Sequence, residues 1–105
     1  MKLPYRKHAS VSKIKLQEYL LSDTHEVGKF KAKFFKKIGF STTDITLLEQ
    51  AFLQIANSEE VKEVIQTIYG EKYVIDGEIN LVMIRTVWII EKEQKYPRFI
   101  TAYPV

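Results

Sequence analysis

The fold is decided by the second half of the chain, where Val61–Glu91 reads VKEVIQTIYGEKYVIDGEINLVMIRTVWIIE. From Val61 onward, β-branched and aromatic residues dominate, a composition typical of strands. Gly70-Glu71 is predicted to form a two-residue hairpin turn within this stretch. The pattern predicts four antiparallel strands, over Val64–Tyr69, Lys72–Ile79, Leu81–Glu91 and Arg98–Tyr103.

Three helices are predicted before this sheet. Their expected ranges are Lys13–Leu21, about His25–Ile38 and about Asp44–Asn57. Gly39 suits a helix C-terminus, and Ser41 and Asp44 have capping-box spacing. Helices followed by a run of strands favour an α+β domain with three N-terminal helices packed on a four-stranded antiparallel sheet. One domain is expected over residues 1–105, with an extended arm (1–10), a helical region (11–57) and the sheet (61–104).

The composition excludes several classes of protein. The chain has 105 residues, 46% of them hydrophobic and 28% charged, which is typical of a single globular domain. It has no cysteine and only two histidines, His8 and His25, so we expect no disulfide, no metal site and no cofactor. Apolar runs such as Val87–Ile90 are far too short to cross a membrane, and no apolar segment typical of a signal peptide follows the basic N-terminus. We therefore expect a small cytoplasmic domain; the oligomeric state is not indicated.

The charges are distributed unevenly along the chain. Residues 1–40 contain ten basic and three acidic residues, a net charge of +7, whereas residues 41–105 have a net charge of −4. This asymmetry favours a polyanionic partner such as RNA and an acidic protein partner. The alternative is that the lysines only solvate two helices.

Lys31 interrupts the amphipathic pattern of the second helix. At about 100° per residue, Lys31 lies on the same arc as Phe30, Phe34 and Phe35. The residues expected to contact RNA from the opposite, solvent-facing side are Lys29, Lys33, Lys36 and Lys37. A lysine that points toward the sheet either snorkels to solvent or meets an anion in a cleft. The second interpretation places a phosphate beside Lys31.

His25 precedes Lys31 at the predicted N-terminus of the same helix. Histidine exchanges protons near neutral pH, which makes His25 the candidate general base. Arg85 interrupts the apolar strand Leu81–Ile90, and arginine binds phosphate through its planar guanidinium. The alternatives are that His25 is a surface residue and that Arg85 only marks an exposed strand face.

The last strand carries two further candidates. By alternation, Phe99, Thr101 and Tyr103 are expected to share one face, which would combine hydroxyl and aromatic groups on a surface suited to RNA. Tyr73 is expected to join this surface. The alternative is that the aromatic rings belong to the core.

The sequence resembles a bacterial domain of unknown function that occurs alone, notably in cyanobacteria, and at the C-terminus of toxin-like proteins. The resemblance is carried by Lys15-Leu16, Tyr19-Leu20-Leu21, His25, Gly28-Lys29, Lys31, Phe34-Phe35, Gly39-Phe40, Arg85-Thr86-Val87-Trp88 and Thr101-Ala102-Tyr103-Pro104. The layout is similar to the barnase–EndoU–colicin–RelE group of metal-independent ribonucleases. That likeness implies catalysis by a helix-borne His or Lys together with Arg, Thr and Tyr from the strands. The matching residues here are His25, Lys31, Arg85, Thr101 and Tyr103.

These observations predict a metal-independent endoribonuclease toxin of a toxin–antitoxin pair. It would cleave RNA through attack of the 2′-hydroxyl and be inhibited by a cognate, acidic antitoxin. The alternative is a non-catalytic module that binds nucleic acid or protein.

Overall fold

The computed structural model describes the backbone of residues 1–17 and 26–105, and the side chains of residues 1–17 and 31–105. In chain order, the helices are α1 (Lys13–Lys15), α2 (Glu26–Lys37) and α3 (Ile45–Ser58), and the strands are β1 (Glu63–Thr67), β2 (Gly70–Ile79), β3 (Val82–Glu91) and β4 (Arg98–Pro104). Short 3-10 turns lie at Arg6–His8 and Thr42–Asp44. The predicted α+β class is confirmed, with three helices and a four-stranded antiparallel sheet. The helices continue to Ser58, past the midpoint of the chain, so they are not all N-terminal; the sheet is C-terminal.

Local signals in the sequence set the end of α2 and the start of α3. Gly39 has a φ of 111°, and the amides of Gly39 and Phe40 donate to the carbonyls of Lys36 and Phe35. This bonding pattern is the Schellman motif that closes a helix. The predicted capping box is also present, since Ser41 N donates to Asp44 Oδ2 at 3.0 Å and Ser41 Oγ accepts from Thr43 N at 3.3 Å.

The strands pair in the order β1-β2-β3-β4, all antiparallel. The prediction that Gly70-Glu71 forms the first turn is wrong, because Thr67 pairs with Gly70 and leaves Ile68-Tyr69 as the loop. The Thr67 hydroxyl stabilises this loop, since it accepts from Tyr69 N and donates to Gly70 O. The next turn is Asn80-Leu81, and both residues have positive φ, as the type I′ hairpin turn requires. Leu81 therefore lies in a turn, not in the predicted third strand.

The core lies between the helices and one face of the sheet. Phe52 of α3 contacts Phe35 of α2 edge-on, with ring centroids 5.8 Å apart, and stacks on Phe99 of β4 at 4.7 Å. The Phe99 ring then contacts Trp88 edge-on at 5.5 Å. This chain of aromatic rings joins two helices to the two last strands, so it fixes where α2 lies relative to β4.

The prediction that Phe99 shares a face with Thr101 and Tyr103 is wrong, because β4 contains a bulge. Trp88 pairs with Phe99, but Val87 pairs with Thr101, so the register shifts and Ile100 is left between the two pairs. A bulge of this kind changes which side chains share a face. Phe99 and Ala102 are therefore buried, whereas Thr101 is only half-buried and Tyr103 is exposed.

The N-terminal arm packs against the domain. Leu3 is fully buried, Met1 O accepts from Val61 N at 2.7 Å, and Ser10 forms an isolated parallel bridge with Arg98. Among the residues that the structure describes, no helix is long and apolar enough to cross a membrane.

Candidate functional site

The centre of the candidate site is a contact between α2 and β4. The Lys31 ammonium donates a hydrogen bond to Thr101 Oγ1. Both side chains are half-buried, and burial lowers the pKa of Lys31 below its ordinary value of 10.5. Lys31 lies one helical turn before Phe35, which belongs to the core, so the amphipathic pattern of α2 brings this lysine toward the sheet. The helical-wheel prediction that Lys31 does not face open solvent is confirmed.

Arg85 and Tyr103 form the adjoining part of the site. They are direct partners in the β3–β4 register, and the next pair on the same face is Val87 with Thr101. Partners in antiparallel strands have Cβ atoms about 5 Å apart, and Thr101 and Tyr103 are separated by roughly 7 Å along β4. Lys31 thus contacts Thr101, and Tyr103 with its partner Arg85 follows Thr101 on the same face of β4 and β3.

Arg85 is also held by a cross-strand ion pair with Asp76. Arg85 Nε donates to Asp76 Oδ1 at 2.8 Å and Nη2 donates to Oδ2 at 3.0 Å, while Lys62 Nζ lies 3.6 Å from Oδ2. The hydrogen bond from Arg85 lowers the pKa of Asp76, and the same bond raises the pKa of Arg85. Tyr103 raises the pKa of Arg85 further. Beyond this bidentate pair the guanidinium has further N–H donors, which serve the Tyr103 hydroxyl and can reach an anion.

The other predicted residues are placed as follows. His25 lies outside the described residues, and the structure does not describe the side chain of Lys29. Lys33, Lys36 and Lys37 are exposed on α2. The prediction that Tyr73 joins the RNA surface is wrong, because Tyr73 pairs with Trp88 on the core face and is only 4% exposed. Burial raises the pKa of Tyr73, and its hydroxyl lies 3.4 Å from Glu71 Oε1.

Sequence reasoning missed two cations that lie beside the site. Lys15 Nζ is 5.9 Å from the centroid of the Phe99 ring, and its electrostatic neighbours include Lys31 and Arg98. No local spacing marks Lys15 or Arg98, because they meet only through the tertiary fold. The β4 sequence could have pointed to Arg98, since Arg98 begins the strand that carries Thr101 and Tyr103, but it holds no signal for Lys15.

A groove of about 610 Å³ lies elsewhere, between α3 and the β2–β3 turn. Asp44, Glu59 and Glu78 line it, and none of the predicted site residues does. Its carboxylates would repel phosphate, so it does not suit a polyanionic ligand. Within residues 1–17 and 31–105, no three His, Asp or Glu side chains converge as metal ligands.

The fold is similar to that of a solved structure. A chain of a contact-dependent growth inhibition toxin–immunity protein complex from Klebsiella pneumoniae 342 matches with a TM-score of 0.70 and 17% sequence identity. The match covers 95% of this chain and 96% of that chain. At this identity the likeness shows a shared fold.

No curated protein is significantly similar to the chain in sequence. A family model, in contrast, matches residues 2–105, which is nearly the whole chain. The chain therefore belongs to the family described as Domain of unknown function (DUF6883).

Proposed function

We propose that this protein is a cytoplasmic endoribonuclease toxin that cleaves RNA without a metal ion and is inhibited by a cognate protein. The observation that carries the proposal is the Lys31 ammonium on the Thr101 hydroxyl, next to the Arg85–Tyr103 pair. A partly desolvated cation beside hydroxyl donors is an arrangement that stabilises negative charge developing on a phosphate. The fold shared with a chain of a toxin–immunity complex supports the toxin role.

The reaction begins at the 2′-hydroxyl of the RNA. His25 removes the 2′-hydroxyl proton, and the resulting oxygen attacks the adjacent phosphorus. The bond from phosphorus to the 5′-oxygen of the next nucleotide then breaks, and Tyr103 supplies the proton that this leaving oxygen takes. The products are a 2′,3′-cyclic phosphate and a 5′-hydroxyl. Two different residues are assigned to base and acid because His25 is the only histidine among the predicted site residues.

Lys31, Arg85 and Thr101 act on the phosphate itself. The Lys31 ammonium and the further N–H donors of the Arg85 guanidinium stabilise the added negative charge, and the Thr101 hydroxyl donates to a phosphate oxygen. Asp76 holds the guanidinium of Arg85 in a fixed orientation through two hydrogen bonds. A fixed donor loses little conformational freedom when the phosphate becomes charged, which is how preorganisation accelerates a reaction.

The basic side chains of α2 extend the RNA-binding surface. Lys29, Lys33, Lys36 and Lys37 would contact the RNA backbone, and the net charge of +7 over residues 1–40 would steer the polyanion to them. The same charge suits an acidic inhibitor protein, which would then compete with RNA for this surface.

One observation favours the non-catalytic alternative. The bidentate pair with Asp76 already occupies part of the Arg85 guanidinium, as it would in a purely structural sheet contact. A binding module of this kind would associate with RNA in a salt-sensitive manner and leave it intact.

Incubation of the purified protein with total RNA, in the presence and absence of EDTA, distinguishes the two functions. We expect cleavage in both conditions and a loss of cleavage in Lys31→Met. RNA that binds the protein but stays intact in both conditions would establish the binding module and contradict the nuclease.

A further inference from the structure

Three cations converge where β4 begins. Arg98 is the first residue of β4, Lys15 Nζ lies 5.9 Å from the ring of the next residue, Phe99, and Lys31 reaches Thr101 two residues further on. They come from three separate parts of the chain, so only the fold brings them together. The site residues predicted from the sequence include Lys31 but neither Lys15 nor Arg98.

Lys15 is held in an environment that disfavours its charge. Burial lowers its pKa most, and the nearby charges of Arg98 and Lys31 lower it further. Arg98 has a carboxylate partner, because its Nε lies 2.5 Å from Glu91 Oε1. Lys13, two residues before Lys15, likewise lies 3.8 Å from Glu49. Among the described side chains, no carboxylate within 4.0 Å pairs with Lys15, so an anionic ligand would relieve the repulsion there.

We propose that Lys15, together with Lys31 and Arg98, binds the phosphate next to the scissile one, so that the site recognises two successive phosphates of a single RNA strand. This inference rests on the proposed function, because that function supplies RNA as the ligand. Lys15 is a binding residue in this scheme and takes no part in proton transfer.

The spacing along β4 supports the proposal. Thr101 and Tyr103 face the scissile phosphate, and Lys15 lies over Phe99, two residues before Thr101. Arg98 pairs with Ile89 and Thr101 pairs with Val87, so despite the bulge Arg98 and Thr101 share a face of the sheet. Ile89 and Val87 are two residues apart on β3, which is roughly 7 Å and close to the distance between neighbouring phosphates in one RNA strand. Lys31 lies between the two positions and contacts both phosphates. The order of cations along β4 thus matches the order of charges along the ligand.

Binding of small nucleotides tests the second phosphate position without any need for cleavage. Adenosine 3′,5′-bisphosphate carries two phosphates on one nucleoside, and adenosine 3′-monophosphate and 5′-monophosphate each carry one. By isothermal titration calorimetry at low salt, we expect the bisphosphate to bind about tenfold more tightly than either monophosphate, the scale of one added charge-assisted contact. Equal affinities for all three would overturn the proposal.

Variants of Lys15 identify the residue responsible. Lys15→Met and Lys15→Gln should lose the preference for the bisphosphate, whereas Lys15→Arg should keep it. Lys13→Met is the matched control, since it removes one charge from the same short helix, and it should keep the preference. Thermal melting shows whether each variant is folded. A preference that survives in folded Lys15→Met, or that falls equally in Lys13→Met, would contradict the role of Lys15.

The outcome is separable from that of the proposed function. If the bisphosphate preference depends on Lys15 but RNA is left intact, the second phosphate-binding position is supported and the nuclease function is contradicted. RNA cleavage without such a preference would keep the nuclease and contradict the phosphate position.

Discussion

The ammonium of Lys31 on α2 hydrogen-bonds the hydroxyl of Thr101 on β4, 70 positions further along the chain. This contact joins a helix to the last strand of the sheet at Thr101, two residues before Tyr103, which pairs with Arg85. A lysine in this position is costly for folding, because burial disfavours its charge. An anion bound beside the Lys31 ammonium would offset this cost.

Replacement of Lys31 by methionine separates stability from function. Because the pKa of Lys31 is lowered in the folded protein, its charge opposes folding at neutral pH; that opposition begins to fall as the pH rises through the lowered pKa and is gone above the ordinary value of 10.5. Lys31→Met should therefore keep or raise the free energy of unfolding measured in urea at pH 7. RNA cleavage should fall by about 100-fold, the scale for loss of one preorganised contact.

The comparison variant is Lys33→Met on the exposed side of α2. It should weaken RNA binding slightly and leave the unfolding free energy unchanged within about 0.5 kcal/mol. A Lys31→Met protein that is clearly less stable than Lys33→Met, or that cleaves RNA equally well, would contradict the assigned role of Lys31.

Asp76 makes part of the stability depend on pH. Arg85 holds the pKa of Asp76 below its ordinary value of 3.8, so the ionised pair stabilises the fold at neutral pH. This contribution is present above the unfolded-state pKa and is lost as the pH falls through the lower, folded-state pKa. Urea unfolding at pH 7 and near pH 2 should show that Asp76→Asn costs stability at neutral pH and much less in acid.

Glu78→Gln is the control for this experiment, because it removes an exposed carboxylate from the same strand. An Asp76→Asn deficit that is equally large at both pH values would mean that shape, not charge, explains the loss.

Thr86 carries a buried hydrogen-bond relay in the sheet. Its hydroxyl donates to Ile75 O at 2.7 Å and accepts from Trp88 Nε1 at 2.8 Å, and Thr86 is fully buried. Thr86→Val removes both hydroxyl bonds and leaves the buried Trp88 Nε1 without this acceptor, so it should lower the unfolding free energy by about 2 kcal/mol or more. Thr86→Ser keeps the hydroxyl and loses a methyl group, so it should cost only about 1 kcal/mol. Equal losses in urea unfolding would show that the hydroxyl contributes nothing.

Gly70 is required by a close approach between β2 and β3. Its φ is 147°, and a Cβ atom there would lie 2.2 Å from Ile90 O. Gly70→Ala should therefore lower the unfolding free energy by about 3 kcal/mol or more, because strain and overlap add. At Gly39, where φ is 111°, the nearest atom would lie 3.5 Å away, so Gly39→Ala carries strain alone, at about 1–2 kcal/mol. Thermal melts that rank the two variants in the opposite order would contradict this explanation.

Local signals made most of the fold predictable from the sequence. The Ser41–Asp44 capping box and Gly39 act within one helical turn, so their residues identify them directly. The sequence pattern places the first hairpin turn at Gly70-Glu71, because glycine is typical of turns. Position 70 needs a glycine for another reason: the backbone of Ile90, on a different strand, leaves no room for a side chain. Phe99 was assigned to the wrong face because strict alternation does not reveal a bulge.

The candidate site was likewise predictable only where a local pattern marks its residues. Lys31 is visible in the periodicity of one helix. Asp76 beside Arg85, and Lys15 beside Lys31, depend on strand register and on helix packing, which the sequence pattern does not specify. Tyr73 was misassigned because its pairing with Trp88 turns the ring into the core.

The central claim is that the RNA's own 2′-hydroxyl attacks the scissile phosphate at the Lys31–Thr101 site. The most direct measurement uses a short RNA that contains a bond cleaved by the protein, and a matched oligonucleotide with a single 2′-deoxy residue at that bond, both in EDTA. We predict that only the RNA is cleaved, that its fragments end in a 2′,3′-cyclic phosphate and a 5′-hydroxyl, and that Lys31→Met leaves it essentially intact. Cleavage of the 2′-deoxy oligonucleotide, or undiminished cleavage by Lys31→Met, would contradict the claim.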